Sequence, residues 1–441
     1  MTAFALDYSG TFSLLDLPTS DDALPPAVKA GDADCYRSHS LQLPTPWRET
    51  SSTALHLLYK RSATELRAVL SETPLEATLE NFTEHQTRSI DLCAPVELQT
   101  VAIPKPWGQE LWYSGIEARG ESSVLAGDKA LPLSHYLALA PQLLCRRAQP
   151  LLLKVLDPTP DPVLGDLYFE THDQKHEVYV VTHVDRSAWP DGTGAIRFGM
   201  NQTKRAAYAT DADFRRAYLE AVTNYERVRR EIDSTTTTAS ADLAESEVQL
   251  RSAMEAFTQL QPLRVGDIVQ VPPGVPHALQ HGVRVFEFQT PVYERNIISF
   301  NQQVLTQDHW DSERAIEQLE SAEVALSSPA KVVDLIDNPS LQCRRIADFA
   351  DFEVQRIQIK PTASWQAELS LPAATPYLMV AIIEGDVVLD YATGQLTLGS
   401  SRAAFVPAST VQLSIRSALS GPSSFLVAAP KPHTAASIGS V

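Results

Sequence analysis

The chain has 441 residues, 44% hydrophobic and 20% charged, with 36 Lys plus Arg against 54 Asp plus Glu and a formal net charge of -18. This composition can bury the cores of about two or three domains and excludes wholesale disorder. The acidic balance argues against nucleic acid or an anionic membrane as partner, and no apolar run approaches the roughly 20 residues that cross a bilayer.

The 30 Pro outnumber the 18 Gly, which favours short elements joined by stiff turns and so a β-rich protein. Met1 to Asp7 has no cationic leader, the first Lys or Arg being Lys29, so a soluble, cytoplasmic protein is expected. Cys35, Cys93, Cys145 and Cys343 are widely spaced and are expected as buried free thiols of a reducing compartment.

In chain order, residues 1–100 carry no chemical motif, and Leu55, Leu58, Leu66, Val69 and Leu70 suggest a helix from about Thr53 to Leu70. From Leu151 the character changes. The apolar run Leu151–Leu156 precedes a Pro-rich turn over Asp157–Pro162, and strands are predicted around Phe169, Val178–Val181, Val265–Val271 and Val283–Gln289. Between them, Thr210 and Asp213 resemble a capping box ahead of Phe214, Tyr218, Ala221, Tyr225, Val228 and Ile232 at helical spacing. A Thr-rich turn at Ser234–Ser240 separates these from a second helix with Leu243, Leu250, Met254, Phe257 and Leu260. A helical hairpin inserted into a β domain accounts for the pattern. A further helix is expected at Trp310–Leu319 and a connection at Ser327–Pro339. Short strands follow at Phe352–Ile359, Tyr377–Ile383, Val387–Tyr391 and Phe405, the pattern of a small sandwich or barrel.

Two segments carry chemistry. Glu170 and His172 are two apart, so on a strand both leave the same face, and Glu177 follows after a short turn. About a hundred residues on, Gly266 precedes Pro272-Pro273-Gly274-Val275-Pro276-His277, a stiff turn delivering His277 to the next strand. Two imidazoles and two carboxylates make a mixed nitrogen and oxygen site suited to Zn²⁺, with Mn²⁺, Fe²⁺ or Co²⁺ as competitors.

The spacings Glu-x-His-x4-Glu and Gly-x5-Pro-x-Gly-x2-His resemble the two motifs of the cupin superfamily, with Glu170 in place of the leading His. Pro104-Lys105-Pro106-Trp107-Gly108, Glu110–Gly115, Leu153–Leu156, Lys175-His176-Glu177, and Glu287-Phe288-Gln289 with Arg295 resemble stretches of the type I mannose-6-phosphate isomerases. The resemblance runs from about residue 104 to 430. It implies a mainly β chain of two cupin-type β-barrel (jelly-roll) domains with a helical insertion. Expected boundaries are an N-terminal segment at 1–100, a metal-binding catalytic cupin at 101–300 with its insertion at 205–260, a helical linker at 301–340, and a metal-free cupin-like domain at 341–441.

It also implies metal ligands at Glu170, His172, Glu177 and His277, with Zn²⁺ the expected ion. Glu287 is expected as base, Arg295 at the enediolate, Lys154 and Lys175 at substrate oxygens or phosphate, and Tyr168 and Gln289 at the substrate. Aldose–ketose isomerisation calls for such groups, because a proton moves between adjacent carbons while negative charge develops on oxygen. The partner is then a small sugar or sugar phosphate. The chain departs from the family pattern at Glu170 (usually Gln), at Tyr168 (a small Ser near the phosphate) and at Asp173 (usually Pro). An ionised Glu170 beside Glu177 offsets the whole charge of a dication. Trp107, Trp112 and Tyr113 are expected as structural aromatics. The alternatives are another metal-dependent cupin enzyme, such as an oxygenase, and a non-catalytic sugar-binding or regulatory cupin.

Overall fold

A computed structural model describes residues 34–44, 52–62, 65–126, 129–146, 148–234, 239–299, 310–319, 332–360, 376–410, 413–418 and 421–431. Residues 1–7, 235–238 of the expected turn, and most of the expected 301–340 linker lie outside them. The chain forms two compact units, one of residues 102–111 and 153–329, the other of 1–101, 112–152 and 330–441. No helix among the described residues is long and apolar enough to cross a membrane.

The 102–111/153–329 unit is a sandwich of a six-stranded and a five-stranded sheet. In the first, the order is Ile268–Val271, Glu177–Val184, Val283–Gln289, Leu152–Pro158, Gly108–Trp112, Val101–Lys105. In the second it is Thr258–Leu263, Gly194–Met200, His277–Leu279, Phe169–Thr171, Asn296–Ser299. Tyr179, Val181, Val269 and Val285 from one sheet share a buried core with Ile196, Phe198, Leu263 and Ile297 from the other, so the inward faces are set by the period of two. In Val283–Gln289 that inward row begins with Val283 and Val285 and continues to Glu287 and Gln289. The alternation that packs one end of the sandwich therefore aims polar groups inward at the other.

The helical insertion is present. Asp211–Ser234 and Ala241–Glu255 lie between two strands that pair with each other, Ile196 opposite Gln261. Thr210 caps the first helix, its Oγ1 accepting from the Asp213 amide at 3.1 Å. Phe214, Tyr218, Val222 and Tyr225 are buried against Met254 and Phe257 of the same core. Phe257 lies beyond the second helix and Leu260 within the strand Thr258–Leu263, so their apparent helical spacing marks the return to the sheet.

In the other unit, a nine-stranded sheet and the three-stranded sheet of Val387–Tyr391, Gly394–Leu398 and Ser414–Ser417 share a core that includes Ile357, Val380, Leu389, Leu398 and Ile415. Val96–Gln99 belongs to the larger sheet, Leu98 lying opposite Ala403. The expected helix at Thr53–Leu70 is instead the strand pair Ser52–Arg61 and Leu66–Ser71, within a sheet that also holds Cys35–Pro44 and Ser89–Asp91. Leu57, Leu58 and Tyr59 are all buried, with Leu58 packed on Val69 and Phe82 and the Tyr59 hydroxyl donating to the Leu139 carbonyl at 2.9 Å. Burial on both faces erases the alternation that identifies a strand. All four cysteines are free thiols; Cys145 and Cys343 are buried, whereas Cys35 and Cys93 are half-buried rather than buried as expected.

Candidate active site

Strand register brings the two motifs together. Glu170 lies opposite His277 across the Phe169–Thr171 and His277–Leu279 strands, so their side chains share a face. Gly274, at a φ of 79° that favours glycine, lets the Pro-rich turn donate its amide to the His172 carbonyl at 2.8 Å. That hydrogen bond ties the turn before His277 to the loop after Glu170. In the six-stranded sheet, Glu177 lies opposite Gln289 and Tyr179 opposite Glu287, which gathers the second set of polar side chains.

Glu170, His172 and His277 each offer a ligand atom within 4.8 Å of the others, the one such group of three or more among the described residues. His172 is fully buried as a side chain, and its Nε2 lies 3.7 Å from Glu170 Oε1 and 3.3 Å from Glu177 Oε1. Neither ring nitrogen nor Glu170 Oε2 makes a hydrogen bond. Orphaned buried donors and acceptors are costly, and two imidazoles with a carboxylate are the ligand chemistry of a borderline dication. The residues therefore fit a divalent metal. Burial, reinforced by Lys175, lowers the His172 pKa. His277 Nδ1 is 3.0 Å from the Val275 carbonyl; donation there leaves Nε2 as the ligand atom. Nε2 is also 3.1 Å from Glu177 Oε2. Although burial alone lowers the His277 pKa, this carboxylate contact raises it overall.

Glu177 touches both imidazoles. It also accepts from the Tyr179 hydroxyl at 2.7 Å and pairs with Lys175 at 2.6 Å. Burial opposes its ionisation, but Lys175 and His172 outweigh burial and hold its pKa well below the carboxylate range. Glu287 behaves oppositely: burial, with Glu177 adding and Lys154 opposing, pushes it up to about 8. Burial disfavours charge on Lys154, yet Glu287 and Glu110 raise its pKa overall.

These groups line one open cavity. Lys154, Tyr168, Glu170, Lys175, Glu177, His277, Glu287 and Arg295 all border it, so the structure assembles most of the residues singled out from sequence. Gln289 is placed differently, accepting from Lys154 Nζ at 2.7 Å through Oε1 and so orienting that lysine. Arg295 stacks over Tyr168, its guanidinium carbon 4.8 Å from the ring centre, with Nε 3.9 Å from Glu170 Oε2.

Sequence reading missed Lys105, Glu110, Tyr293 and Glu294 on this wall, because an isolated Lys or Glu is usually a solvated surface group. Trp107, expected as structural, also borders the cavity. Its indole N–H is buried without a hydrogen-bond partner. Glu294 accepts the backbone amides of Asp173 and Gln174 and so fastens the loop that carries His172 and Lys175.

No family model matches the sequence, and no curated protein matches it. Solved structures do. The mannose 6-phosphate isomerase of Bacillus subtilis aligns over 76% of this chain and 99% of its own, at 16% identity and a TM-score of 0.54. The apo isomerase of Salmonella typhimurium aligns over 77% and 99%, at 10% identity and a TM-score of 0.54. A zinc-bound mannose 6-phosphate isomerase aligns over 77% and 100%, at 12% identity and a TM-score of 0.51. The resemblance in sequence and the agreement in architecture converge: this chain has the fold of the mannose 6-phosphate isomerases.

Proposed function

We propose that the protein is a divalent-metal-dependent aldose–ketose isomerase, with Zn²⁺ as the ion and a small sugar or sugar phosphate as substrate. The observation that carries this reading is the cavity itself. It borders a group fit for a metal, a buried carboxyl that titrates near neutrality, and cations beside both.

Glu170, His172 and His277 would hold the metal, with Glu177 touching both imidazoles. When bound, the ion acts as a Lewis acid toward the carbonyl and hydroxyl oxygens of the sugar. Glu287 moves the proton between the adjacent carbons. A pKa of about 8 lets one carboxyl both accept and return a proton near neutral pH. Arg295, held on Tyr168, stabilises the negative charge of the enediolate. Lys154, oriented by Gln289, and Lys175, oriented by Glu177, bind sugar oxygens.

The test is incubation of zinc-loaded protein with mannose 6-phosphate and with free aldoses in D₂O, beside a chelated control. Ketose formation with deuterium entering the aldose at C2, abolished by chelator, is expected. Stoichiometric zinc without exchange at C2 in any sugar would overturn the reading.

A further inference from the structure

We propose that the cavity selects an uncharged aldose over a sugar phosphate, a substrate class that rests on the isomerase reading above. The cations bordering it are already engaged by the protein. Lys105 lies 3.0 Å from Glu110, Lys175 2.6 Å from Glu177, and Lys154 2.7 Å from Gln289 Oε1. Arg295 is spread over the Tyr168 ring beside Glu170. Among the described residues, four cationic side chains and five carboxyls border the cavity. A bound dication leaves the wall with one net positive charge when all five carboxyls are ionised.

When Glu287 takes the proton that forms the enediolate, the wall rises to two positive charges, and the enediolate of an uncharged aldose returns the site to one. A phosphate ester brings up to two further negative charges at neutral pH. In a hexose 6-phosphate they sit at the far end of the carbon chain from C1 and C2, away from the ion that serves those oxygens. To be received there, the phosphate must draw Lys105 or Lys175 from a buried carboxylate, which is strongly unfavourable, or displace Lys154 from the Gln289 amide or Arg295 from the Tyr168 ring.

A hydroxyl asks for nothing of the kind. It donates and accepts at once, so it fits between the Lys and Glu of an existing pair and preserves local neutrality.

The experiment uses the full zinc-loaded chain and ligands that cannot isomerise: mannitol, glucitol and their 6-phosphates, titrated by calorimetry. A neutral hexitol is expected to bind at least ten-fold more tightly than its phosphate. Equal or tighter binding of the phosphate overturns the inference, and binding of none of the four overturns it as well. Turnover of free and phosphorylated mannose is measured in parallel. Preference for the neutral hexitol without turnover of either aldose would remove the isomerase reading and leave the selectivity standing. Glu110→Gln releases Lys105, so it is expected to shift the affinity ratio at least ten-fold toward the phosphate. An unchanged ratio in a variant of normal thermal midpoint counts against the argument.

Discussion

Glu287→Gln tests whether burial keeps this carboxyl protonated. Its pKa rises from 4.5 to about 8 in the folded chain, so between those values the native state binds a proton that the unfolded state has released. The sign follows from linkage: the contribution of Glu287 is fully present below about pH 4.5 and is lost as pH rises through about 8. At about 1.4 kcal/mol per pH unit, wild type loses roughly 4 kcal/mol relative to Glu287→Gln between pH 5 and pH 9. Gln is isosteric with the protonated acid and does not titrate, so the variants are expected to be nearly equal in stability at pH 5. Urea unfolding of chelated wild type and variant across this range measures the difference, because other titrations cancel between them. A pH-independent difference would refute the argument. A difference of opposite slope would show that Lys154 holds Glu287 ionised. In the isomerase assay the same variant is expected to lose about 10²- to 10⁴-fold in kcat, the usual contribution of a positioned acid–base group.

Other consequences are open to direct measurement. His172→Ala and His277→Ala are each expected to lose stoichiometric zinc on dialysis, read by elemental analysis, and the zinc-dependent rise in thermal midpoint should vanish with it. Retention of one equivalent by both variants refutes the donor set. Lys154→Met removes the cation that most opposes the rise in the Glu287 pKa, so the acidic limb of the kcat/KM profile is expected to move up by about one pH unit; a downward move contradicts it. Leu58→Ala empties a buried position against Val69 and Phe82 and is expected to cost about 2–5 kcal/mol in urea unfolding. A loss below about 0.5 kcal/mol would mean that the N-terminal sheet does not unfold with its unit.

The legible parts of the fold are those where one face is buried and the other is not. Phe352–Ile359 has the same bounds in sequence and structure because buried and half-buried residues alternate along much of it, and Val387–Tyr391, although buried at three consecutive residues, is bounded by Gly385 and Gly394. Thr53–Leu70 failed for the opposite reason. Three consecutive buried residues, Leu57 to Tyr59, remove the alternation, and the leucines of two adjacent strands then mimic a helical stripe. The strand Val96–Gln99 is four residues long and acquires its meaning only from Ala403–Pro407, three hundred residues away. No local period could reveal that pairing, and so the first hundred residues looked featureless while helping to complete the second unit's sheet.

The site follows the same physics in reverse. Glu170 with His172 was recognisable because a strand projects alternate residues to one side, whereas Glu287 was marked by the family resemblance and Gln289 set beside it by the period of two. What spacing could not supply is which partner each group takes across the sandwich. Gln289 shares the face of Glu287 but is occupied by Lys154. Lys105 and Glu110 stand on either side of a turn and find each other only when Val101–Lys105 and Gly108–Trp112 pair at the sheet edge. These pairings decide how much charge the cavity can offer a ligand. A motif can therefore announce the fold, while the choice between a hydroxyl and a phosphate that the cavity is proposed to make depends on ion pairs set by tertiary register.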